Sequence, residues 1–204
     1  PPIIRARVLS KLLREKEAVN FIANFDLISG GSNELLSKLL SGRLDFSLIG
    51  SVAPLVHPNL TVQALDQREF YIFASQDNPL SQKSEISFEE ALDYPFILLE
   101  ESFVHAKAFQ NLKDKYQKDA KVLLHFSDVQ TIGQLVKSNI GITLMTDFLP
   151  FRDMENLVKI PLAAKDKEIF YVQYAYLKTA VLNEDLQQLV AMLDKLAKVE
   201  DTLR

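Results

Sequence analysis

Residues 30–50, "GGSNELLSKLLSGRLDFSLIG", contain the pattern that decides the fold class. Two adjacent glycines end an apolar run, and the small polar residues that follow them suit the start of a helix. Leucines then recur at helical spacing, and Gly42 is placed to end the helix in the left-handed conformation that glycine tolerates. Residues 44–49 alternate between apolar and polar side chains. The stretch therefore predicts a helix followed by a strand.

The sequence around this stretch continues the same alternation of elements. A helix is predicted from Pro2 onward, because proline suits the first turn and apolar residues follow at four-residue spacing. A helix that begins with the chain also indicates that upstream sequence is missing. Residues 25–28 predict a short buried strand, and residues 60–65 and 68–75 predict two more strands. Helices and strands in this order are typical of a parallel sheet covered by helices.

A second lobe is predicted where the pattern restarts after the polar segment 76–87. The apolar stretch 168–177 returns the chain to the first lobe and precedes a last helix. We therefore expect an α/β fold with two lobes joined by two crossing segments. Ligands in such sheets bind outside the carboxyl ends of the strands, so a ligand cleft is expected between the lobes. The predicted subdomains are residues 1–75 with 170–204, and residues 76–169.

Composition and charge narrow the classes of protein. The net charge is -4, with 23 basic and 27 acidic residues. This charge argues against direct binding of nucleic-acid phosphates by this chain. There is no cysteine, so disulfides, thiolate zinc sites and cysteine nucleophiles are excluded. No apolar run approaches 18 residues and no leader pattern opens the sequence, so we expect no membrane association.

Catalytic and metal-binding motifs are not found in the sequence. It has no G-x-S-x-G, H-E-x-x-H, P-loop or G-x-G-x-x-G pattern. Its three histidines are not spaced like the ligands of a metal ion. We expect no metal and no cofactor. Glu100 and Glu101 are adjacent, so their side chains point opposite ways and cannot form a glycosidase pair alone. His105, at a helix start, is a candidate ligand contact if the two-lobe interpretation holds.

Three predicted helix starts follow strand ends, and each contains a serine. Unpaired N–H groups at helix N-termini attract anions, so these turns are candidate ligand contacts. Each serine either caps its own helix or donates to a ligand, and the sequence leaves both roles open. The three turns are at residues 31–33, 102–104 and 127–129.

Three stretches follow one another in a characteristic order: Gly42-x-Leu44-Asp45, "DNPLSQKSEISFEEALDYPFILLEE" (77–101) and "FSDVQTIGQLVKSNIGITLM" (126–145). This order resembles the effector-binding domain of LysR-type transcriptional regulators over nearly all of the chain. The resemblance implies two Rossmann-like subdomains of the periplasmic-binding-protein type II kind. It also implies a DNA-binding domain that is absent from this chain.

The resemblance further implies a small-molecule effector in the cleft and a cytoplasmic protein that is not an enzyme. It implies homodimers, tetramers in the full-length protein, and DNA contact only through the missing N-terminal domain. Ile4 and Val8 of one copy are expected against Ile132 of another, although each of these side chains could equally be core. The acidic pair Glu100 and Glu101 argues against a strongly anionic effector. The expected effector contacts are Pro2, Gly31, Ser32, Asn33, Glu101, Ser102, His105, Ser127, Asp128 and Thr146.

Three hypotheses about function therefore stand. The first is the effector-sensing regulatory domain of a LysR-type regulator. The second is a solute-binding protein of a transporter, which can share the fold, because fold does not fix function. The third is an enzyme that uses the same cleft, and the lack of an assembled nucleophile, base or metal set makes it the least supported. An upstream helix-turn-helix, a signal peptide or turnover of a bound metabolite would distinguish them.

Overall fold

The protein is an α/β chain that divides into two compact units. The structure is a computed structural model, and it describes residues 2–13, 18, 22–147 and 154–202. Residues 1–67 with 171–204 form the first unit, and residues 68–170 form the second.

The secondary-structure elements follow the chain as a mixture of helices and strands. The helices are α1 (Pro2–Leu12), α2 (Ser32–Leu40), α3 (Phe88–Ala91), α4 (Val104–Tyr116), α5 (Val129–Lys137) and α6 (Glu184–Thr202). The strands are β1 (Ser47–Ser51), β2 (Leu60–Ser75), β3 (Phe96–Leu99), β4 (Val122–Phe126), β5 (Thr143–Thr146), β6 (Leu157–Pro161) and β7 (Ile169–Leu177). Short 3-10 helices lie at Pro79–Gln82 and Ala164–Asp166.

Helix α2 and strand β1 confirm the prediction from residues 30–50. Helix α2 buries Leu35 and Leu39 on one face, as the leucine spacing predicts. The turn that follows the helix contains Gly42, which has a φ of 71° and donates its N–H to the Leu39 carbonyl at 3.0 Å. The N–H of Arg43 reaches back to the Lys38 carbonyl at 2.8 Å. Such bonds satisfy carbonyl groups that the end of a helix leaves unpaired.

In the first unit β1 and β7 are antiparallel, whereas the sequence predicted a parallel sheet. Strand β1 pairs with β7 from Ser47 opposite Ala175 to Ser51 opposite Tyr171. The direction differs because the neighbour of β1 is the returning strand β7, not a strand of the helix–strand alternation. The side chains of Leu39, Ile49, Leu60 and Ala175 form a buried cluster in this unit.

Two local predictions about strands are wrong. Residues 25–28 form no strand, and Leu27 and Ile28 are 50% and 44% exposed rather than buried. An apolar run becomes a strand only where another strand pairs with it, and no described strand pairs with residues 26–28. Residues 60–65 and 68–75 form the single strand β2, because the polar residues between them stay in extended pairing instead of turning.

The second unit combines antiparallel and parallel pairs. The last part of β2 pairs antiparallel with β5, from Phe70 opposite Thr146 to Phe73 opposite Thr143. It also pairs antiparallel with β6, whereas β3 and β4 are parallel. These pairings explain why residues 68–75 group with the second unit, although the predicted boundary lay after Ser75.

The core of the second unit contains three packed phenylalanine rings. The rings of Phe88 and Phe96 are 4.9 to 5.5 Å from the ring of Phe109, centroid to centroid, in edge-to-face geometry. All three side chains are buried, with Phe109 the most exposed at 5%. Burying a side chain of this size contributes about 1.5–3 kcal/mol. These rings hold α3, β3 and α4 together.

The buried carboxylate of Asp166 joins three segments of the second unit. It accepts hydrogen bonds from the Phe88 backbone N–H at 2.8 Å, from Lys115 Nζ at 2.7 Å and from the Tyr116 hydroxyl. Burial alone would raise the pKa of Asp166, but these hydrogen bonds outweigh burial and hold the pKa below its usual value. The 3-10 helix at Ala164–Asp166 is thereby fixed to α3 and α4.

Candidate functional site

The start of α2 in the first unit is organised by Ser32. Ser32 is 4% exposed, and its Oγ accepts a hydrogen bond from the Gly50 N–H at 3.0 Å. The side chain therefore ties the start of α2 to the end of β1 and does not cap the helix. The cap position is held by Gly31, which has no side chain that could cap the helix, and Asn33 is exposed. The oxygen of Ser32 is an acceptor in this bond, so its hydroxyl hydrogen can be donated elsewhere.

A buried glutamine, which was not among the predicted site residues, fixes the loop that follows β1. Gln173 is 3% exposed, and its Oε1 accepts from the Leu55 N–H at 2.8 Å. Its Nε2 donates to Ser51 Oγ at 2.8 Å, and Ser51 in turn donates to the Ala53 carbonyl at 2.5 Å. The signal was an uncharged polar residue inside the apolar stretch 168–177, where a buried amide needs partners.

His105 and Thr146 are brought together in the second unit. His105 is 4% exposed, and its Nε2 lies 3.4 Å from Thr146 Oγ1. Its ring packs between Phe70 and Phe170, at 5.4 and 5.3 Å between centroids. Burial lowers the pKa of His105 to about 3. The ring is therefore neutral near pH 7, with one nitrogen that donates and one that accepts.

The carboxyl ends of β3 and β4 lie side by side in the second unit. The two strands are parallel, and the N–H of Glu100 donates to the Phe126 carbonyl at 3.1 Å. The exposed residues Glu101 and Ser102 follow β3, and Ser127 and Asp128 follow β4. This edge is where ligands bind in parallel sheets, so four of the predicted residues share one neighbourhood.

The two helix starts at this edge differ in how their N–H groups are satisfied. Asp128 caps α5, because its carboxylate accepts from the N–H groups of Gln130 and Thr131 at 3.1 and 2.9 Å. Hydrogen bonds from Thr131 lower the pKa of Asp128. Of the two roles that the sequence left open for Ser127, capping of α5 is therefore taken by Asp128. The N-cap residue of α4 is Phe103, whose side chain makes no capping hydrogen bond. Ser102 lies one residue before the cap position.

The residues predicted for a dimer interface lie in the core of their own chain. Ile4, Val8 and Ile132 are 1%, 8% and 0% exposed. In this conformation they present almost no surface to a second copy, and they pack as core residues. Pro2 is the first residue of α1, and its side chain lies outside the part of the structure that is described.

Neither a metal-ligand cluster nor a membrane span occurs in the described part of the chain. No group of three or more His, Cys, Asp or Glu side chains that could hold a metal ion is found among residues 2–13, 18, 22–147 and 154–202. Within the same residues, every helix is too short or too polar to cross a membrane.

The fold of this chain is the type II periplasmic-binding-protein-like fold. The family model for the LysR substrate binding domain matches residues 1–198, so the chain belongs to that family.

Known proteins similar to this chain include a transcriptional activator. The malolactic fermentation system transcriptional activator of Lactococcus lactis subsp. lactis (strain IL1403) is 41% identical over 196 residues, which cover 96% of this chain and 66% of that protein. The chain therefore spans just under two thirds of the length of that relative.

Two solved structures with bound small molecules share the fold. The Synechocystis PCC6803 CcmR regulatory domain in complex with 2-PG has a TM-score of 0.75 at 20% identity, with 97% of this chain and 93% of that chain covered. The effector binding domain of QuiR in complex with shikimate has a TM-score of 0.69 at 17% identity, with 89% and 87% covered.

Proposed function

We propose that this chain is the effector-sensing regulatory domain of a LysR-type transcription regulator, and that it is not an enzyme. The observation that carries the proposal is the family match over residues 1–198. The 41% identical relative is a transcriptional activator, which supports a regulator over a solute-binding protein of a transporter. In this proposal the protein is cytoplasmic, and a DNA-binding domain that is not part of this chain contacts the DNA.

The proposed effector is a small polar metabolite with oxygen acceptors. In the first unit, the Ser32 hydroxyl hydrogen and the N–H groups at the start of α2 are the proposed donors, because no side chain caps this helix. In the second unit, Ser102 and Ser127 follow adjacent strand ends and supply exposed hydroxyl groups. Asp128 contributes by fixing the start of α5, since its carboxylate is already occupied by backbone N–H groups.

His105 and Thr146 are proposed to shape the site rather than to bear charge. Both side chains are buried, and the neutral imidazole cannot act as a cationic partner for an acid near pH 7. Glu100 and Glu101 are exposed beside Ser102, so they repel a strongly anionic ligand at this edge. A hydroxylated effector of low charge therefore suits the second unit best.

Regulation requires an effector that binds two conformations with different affinity. We propose that effector binding shifts this equilibrium in a homodimer, with tetramers in the full-length protein. In this proposal the interface between the two copies lies on α1 and α5, where the sequence predicted contacts by Ile4, Val8 and Ile132. Because these three side chains are buried, exposed neighbours on the same helices would make the contact.

A thermal-shift titration with a metabolite panel tests the proposal. The name of the 41% identical relative makes malate and lactate the first compounds, with shikimate and 2-PG as comparators. At a concentration of 100 Kd, a ligand that binds only the folded state stabilises by about 2.7 kcal/mol, or roughly 5–10 °C for a domain of this size.

Site variants decide whether a stabilising compound binds as proposed. Ser32→Ala and Ser102→Ala are expected to reduce the shift, whereas Ser138→Ala, at the exposed C-terminal end of α5, is the matched control. An equal shift in all three variants would refute the site. Turnover of the stabilising compound would refute the non-enzymatic role. A compound that stabilises the protein but never changes DNA binding would refute the regulatory role.

A further inference from the structure

Residues 51–55, which we call the β1 loop, begin where β1 ends and lie next to the start of α2. The Ser32 Oγ accepts from the Gly50 N–H at 3.0 Å, and the residue after Gly50 is Ser51, the first of the loop. Consecutive Cα atoms are only about 3.8 Å apart. A ligand within hydrogen-bonding distance of the Ser32 hydroxyl therefore lies beside the β1 loop.

The backbone of the β1 loop is fixed by few hydrogen bonds. Residues 52–55 belong to no helix or strand. Among the described residues, this segment has two hydrogen bonds: the Leu55 N–H donates to Gln173 Oε1 at 2.8 Å, and the Ala53 carbonyl accepts from Ser51 Oγ at 2.5 Å. The side chain of Leu55 also packs against the buried cluster of the first unit. Packing therefore places one side chain, whereas the path of the backbone depends on the two hydrogen bonds.

Both hydrogen bonds of the loop depend on the side-chain amide of Gln173. Its Oε1 is the acceptor for the Leu55 N–H, and its Nε2 donates to Ser51 Oγ at 2.8 Å. Because the Ser51 oxygen accepts from Nε2, its hydroxyl hydrogen is directed away from the amide and is donated to the Ala53 carbonyl. One amide therefore fixes the β1 loop at its beginning and at its end.

Gln173 is itself held in place by the sheet and by burial. It is 3% exposed, and its backbone lies opposite Ile49 in the antiparallel pair of β7 and β1. Ser51 lies opposite Tyr171, so Ser51 and Gln173 are diagonal neighbours on one face of the pair. Since the oxygen and the nitrogen of this buried amide both have partners in the protein, the amide acts on a ligand only through the loop.

We propose that Gln173 is a positioning residue for effector binding, which holds the β1 loop as one wall of the effector site in the first unit. The inference rests on the proposed function and adds a residue to the contacts predicted from the sequence. Groups that bind a ligand must be held within about 0.5 Å of the required geometry by the hydrogen bonds of their neighbours. Without the amide, the loop must be ordered when the effector binds, and that ordering lowers the affinity.

Amide exchange without any ligand tests whether Gln173 fixes the loop. In Gln173→Leu the Leu55 N–H loses its acceptor, so we expect its exchange to accelerate at least tenfold more than exchange of residues 47–51 of β1. Strand β1 is the internal reference, because a general loss of stability accelerates exchange in the strand and in the loop alike. Equal acceleration in both, or no acceleration at Leu55, would overturn the proposal.

Calorimetric titration tests whether the loop belongs to the effector site. The titrant is malate, or whichever of lactate, shikimate and 2-PG stabilises the wild type, at a temperature where every variant is folded. Gln173→Leu is expected to raise the Kd at least tenfold. Gln63→Leu is the matched control, because it makes the same substitution at an exposed position of β2 and should leave the Kd unchanged.

A second control separates affinity from stability. Asp166→Asn removes buried hydrogen bonds from the second unit, and Asp166 is not among the proposed effector contacts. It lowers stability and is expected to leave the Kd of the folded protein unchanged. An unchanged Kd in Gln173→Leu, or an equal rise in Asp166→Asn, would overturn the proposal.

Variants of Ser51 test the route by which Gln173 acts. Ser51→Ala should raise the Kd, whereas Ser51→Thr keeps the hydroxyl and should bind as the wild type does. The double variant Gln173→Leu with Ser51→Ala should raise the Kd by less than the product of the two single effects, because both changes break the same link. Effects that multiply fully would show that the two residues act independently and would overturn the proposal.

The failure of this inference can be distinguished from the failure of the proposed function. If the wild type binds none of the four compounds, the proposed effector chemistry is refuted, and exchange of the Leu55 amide still decides whether Gln173 positions the loop. If a compound binds the wild type and every Gln173 and Ser51 variant equally well, the positioning role is refuted and the regulatory function stands.

Discussion

Replacing Asp166 by asparagine is expected to destabilise the second unit, because this carboxylate is buried and accepts three hydrogen bonds. Asp166 is 1% exposed, and its donors are Phe88, Lys115 and Tyr116. Asparagine keeps the volume but removes the charge and places an NH₂ group against at least one of the three donors. At least one donor is then left without its acceptor.

The magnitude follows from the partners that would be lost. A hydrogen bond to a charged group contributes about 1.5–3 kcal/mol, and an unsatisfied buried donor costs about 1–3 kcal/mol. The side chain of Lys115 is 42% exposed, so its ammonium can be rehydrated, which reduces its share of the loss. We therefore expect Asp166→Asn to lower the free energy of unfolding by about 2–4 kcal/mol. Tyr116→Phe, which removes one donor, should cost about 1 kcal/mol.

The pH dependence of stability gives an independent check on Asp166. Its pKa is lower in the folded protein than the ordinary value near 3.9, so the folded state binds its proton less readily than the unfolded state. The stabilisation is fully present above about pH 3.9 and is lost as the pH falls through the folded pKa. The free energy of unfolding of Asp166→Asn should lack this contribution, which depends on the ionisation of Asp166.

Urea denaturation of the wild type and three variants measures the effect. Asp119→Asn is the matched control, because Asp119 is exposed close to the same helix and should change stability by less than about 0.5 kcal/mol. If Asp166→Asn costs less than about 1 kcal/mol, or no more than Asp119→Asn, the structural role given to Asp166 is refuted.

Three further predictions concern other buried positions. Gln173→Leu is expected to cost about 2 kcal/mol in urea denaturation, because the Leu55 N–H loses its acceptor. The pKa of His105 is about 3, below the unfolded value near 6.5, so the stability it confers is present above pH 6.5 and falls as the pH drops toward 3. In His105→Asn, this loss of stability between pH 6.5 and 3 should be absent from urea denaturation measured over a series of pH values. Gly141→Ala should lower stability by about 1–3 kcal/mol in thermal unfolding, because a Cβ there would lie 2.6 Å from the Pro95 carbonyl oxygen.

Each of these predictions has an opposing result, and the predictions for Gln173 and Gly141 also have a control variant. Gln63→Leu, at an exposed position of β2, should be nearly neutral, and an equal loss would contradict the role of Gln173. A pH series that is unchanged in His105→Asn would contradict the shifted pKa. Gly30→Ala is the control for Gly141→Ala, since its Cβ would meet only the movable carboxylate end of Glu34. Similar losses at the two glycines would contradict the steric argument.

Local features of the fold could be predicted from the sequence where neighbours along the chain determine them. The leucines of α2 and the left-handed Gly42 belong to one helix, so helical spacing and the conformational freedom of glycine suffice. Residues 25–28 were predicted wrongly because a strand depends on a partner that is distant in sequence. The antiparallel direction of β7 depends on the path of the chain through the second unit, which periodicity does not encode.

The candidate site could be predicted as a set of positions but not as a set of roles. The turns at Ser102 and Asp128 follow strand ends and begin helices, as the residue types indicated, whereas Ser32 begins a helix after residues that form no strand. Whether a serine caps its helix depends on distant backbone groups. Ser32 accepts from Gly50, 18 residues away, and this contact carries no local signal. The effector contacts themselves stay a prediction.

The hydrogen bond between Ser32 and Gly50 also bears on the solubility of the chain. An exposed strand edge next to apolar side chains is a template for pairing with other chains, and β1 with Leu27 and Ile28 forms such a template. Because the Gly50 N–H is occupied by a side chain of its own unit, the template is shortened at one end. Removing that hydroxyl lengthens the open edge, so Ser32→Ala is expected to increase aggregation during storage even where effector binding is not involved.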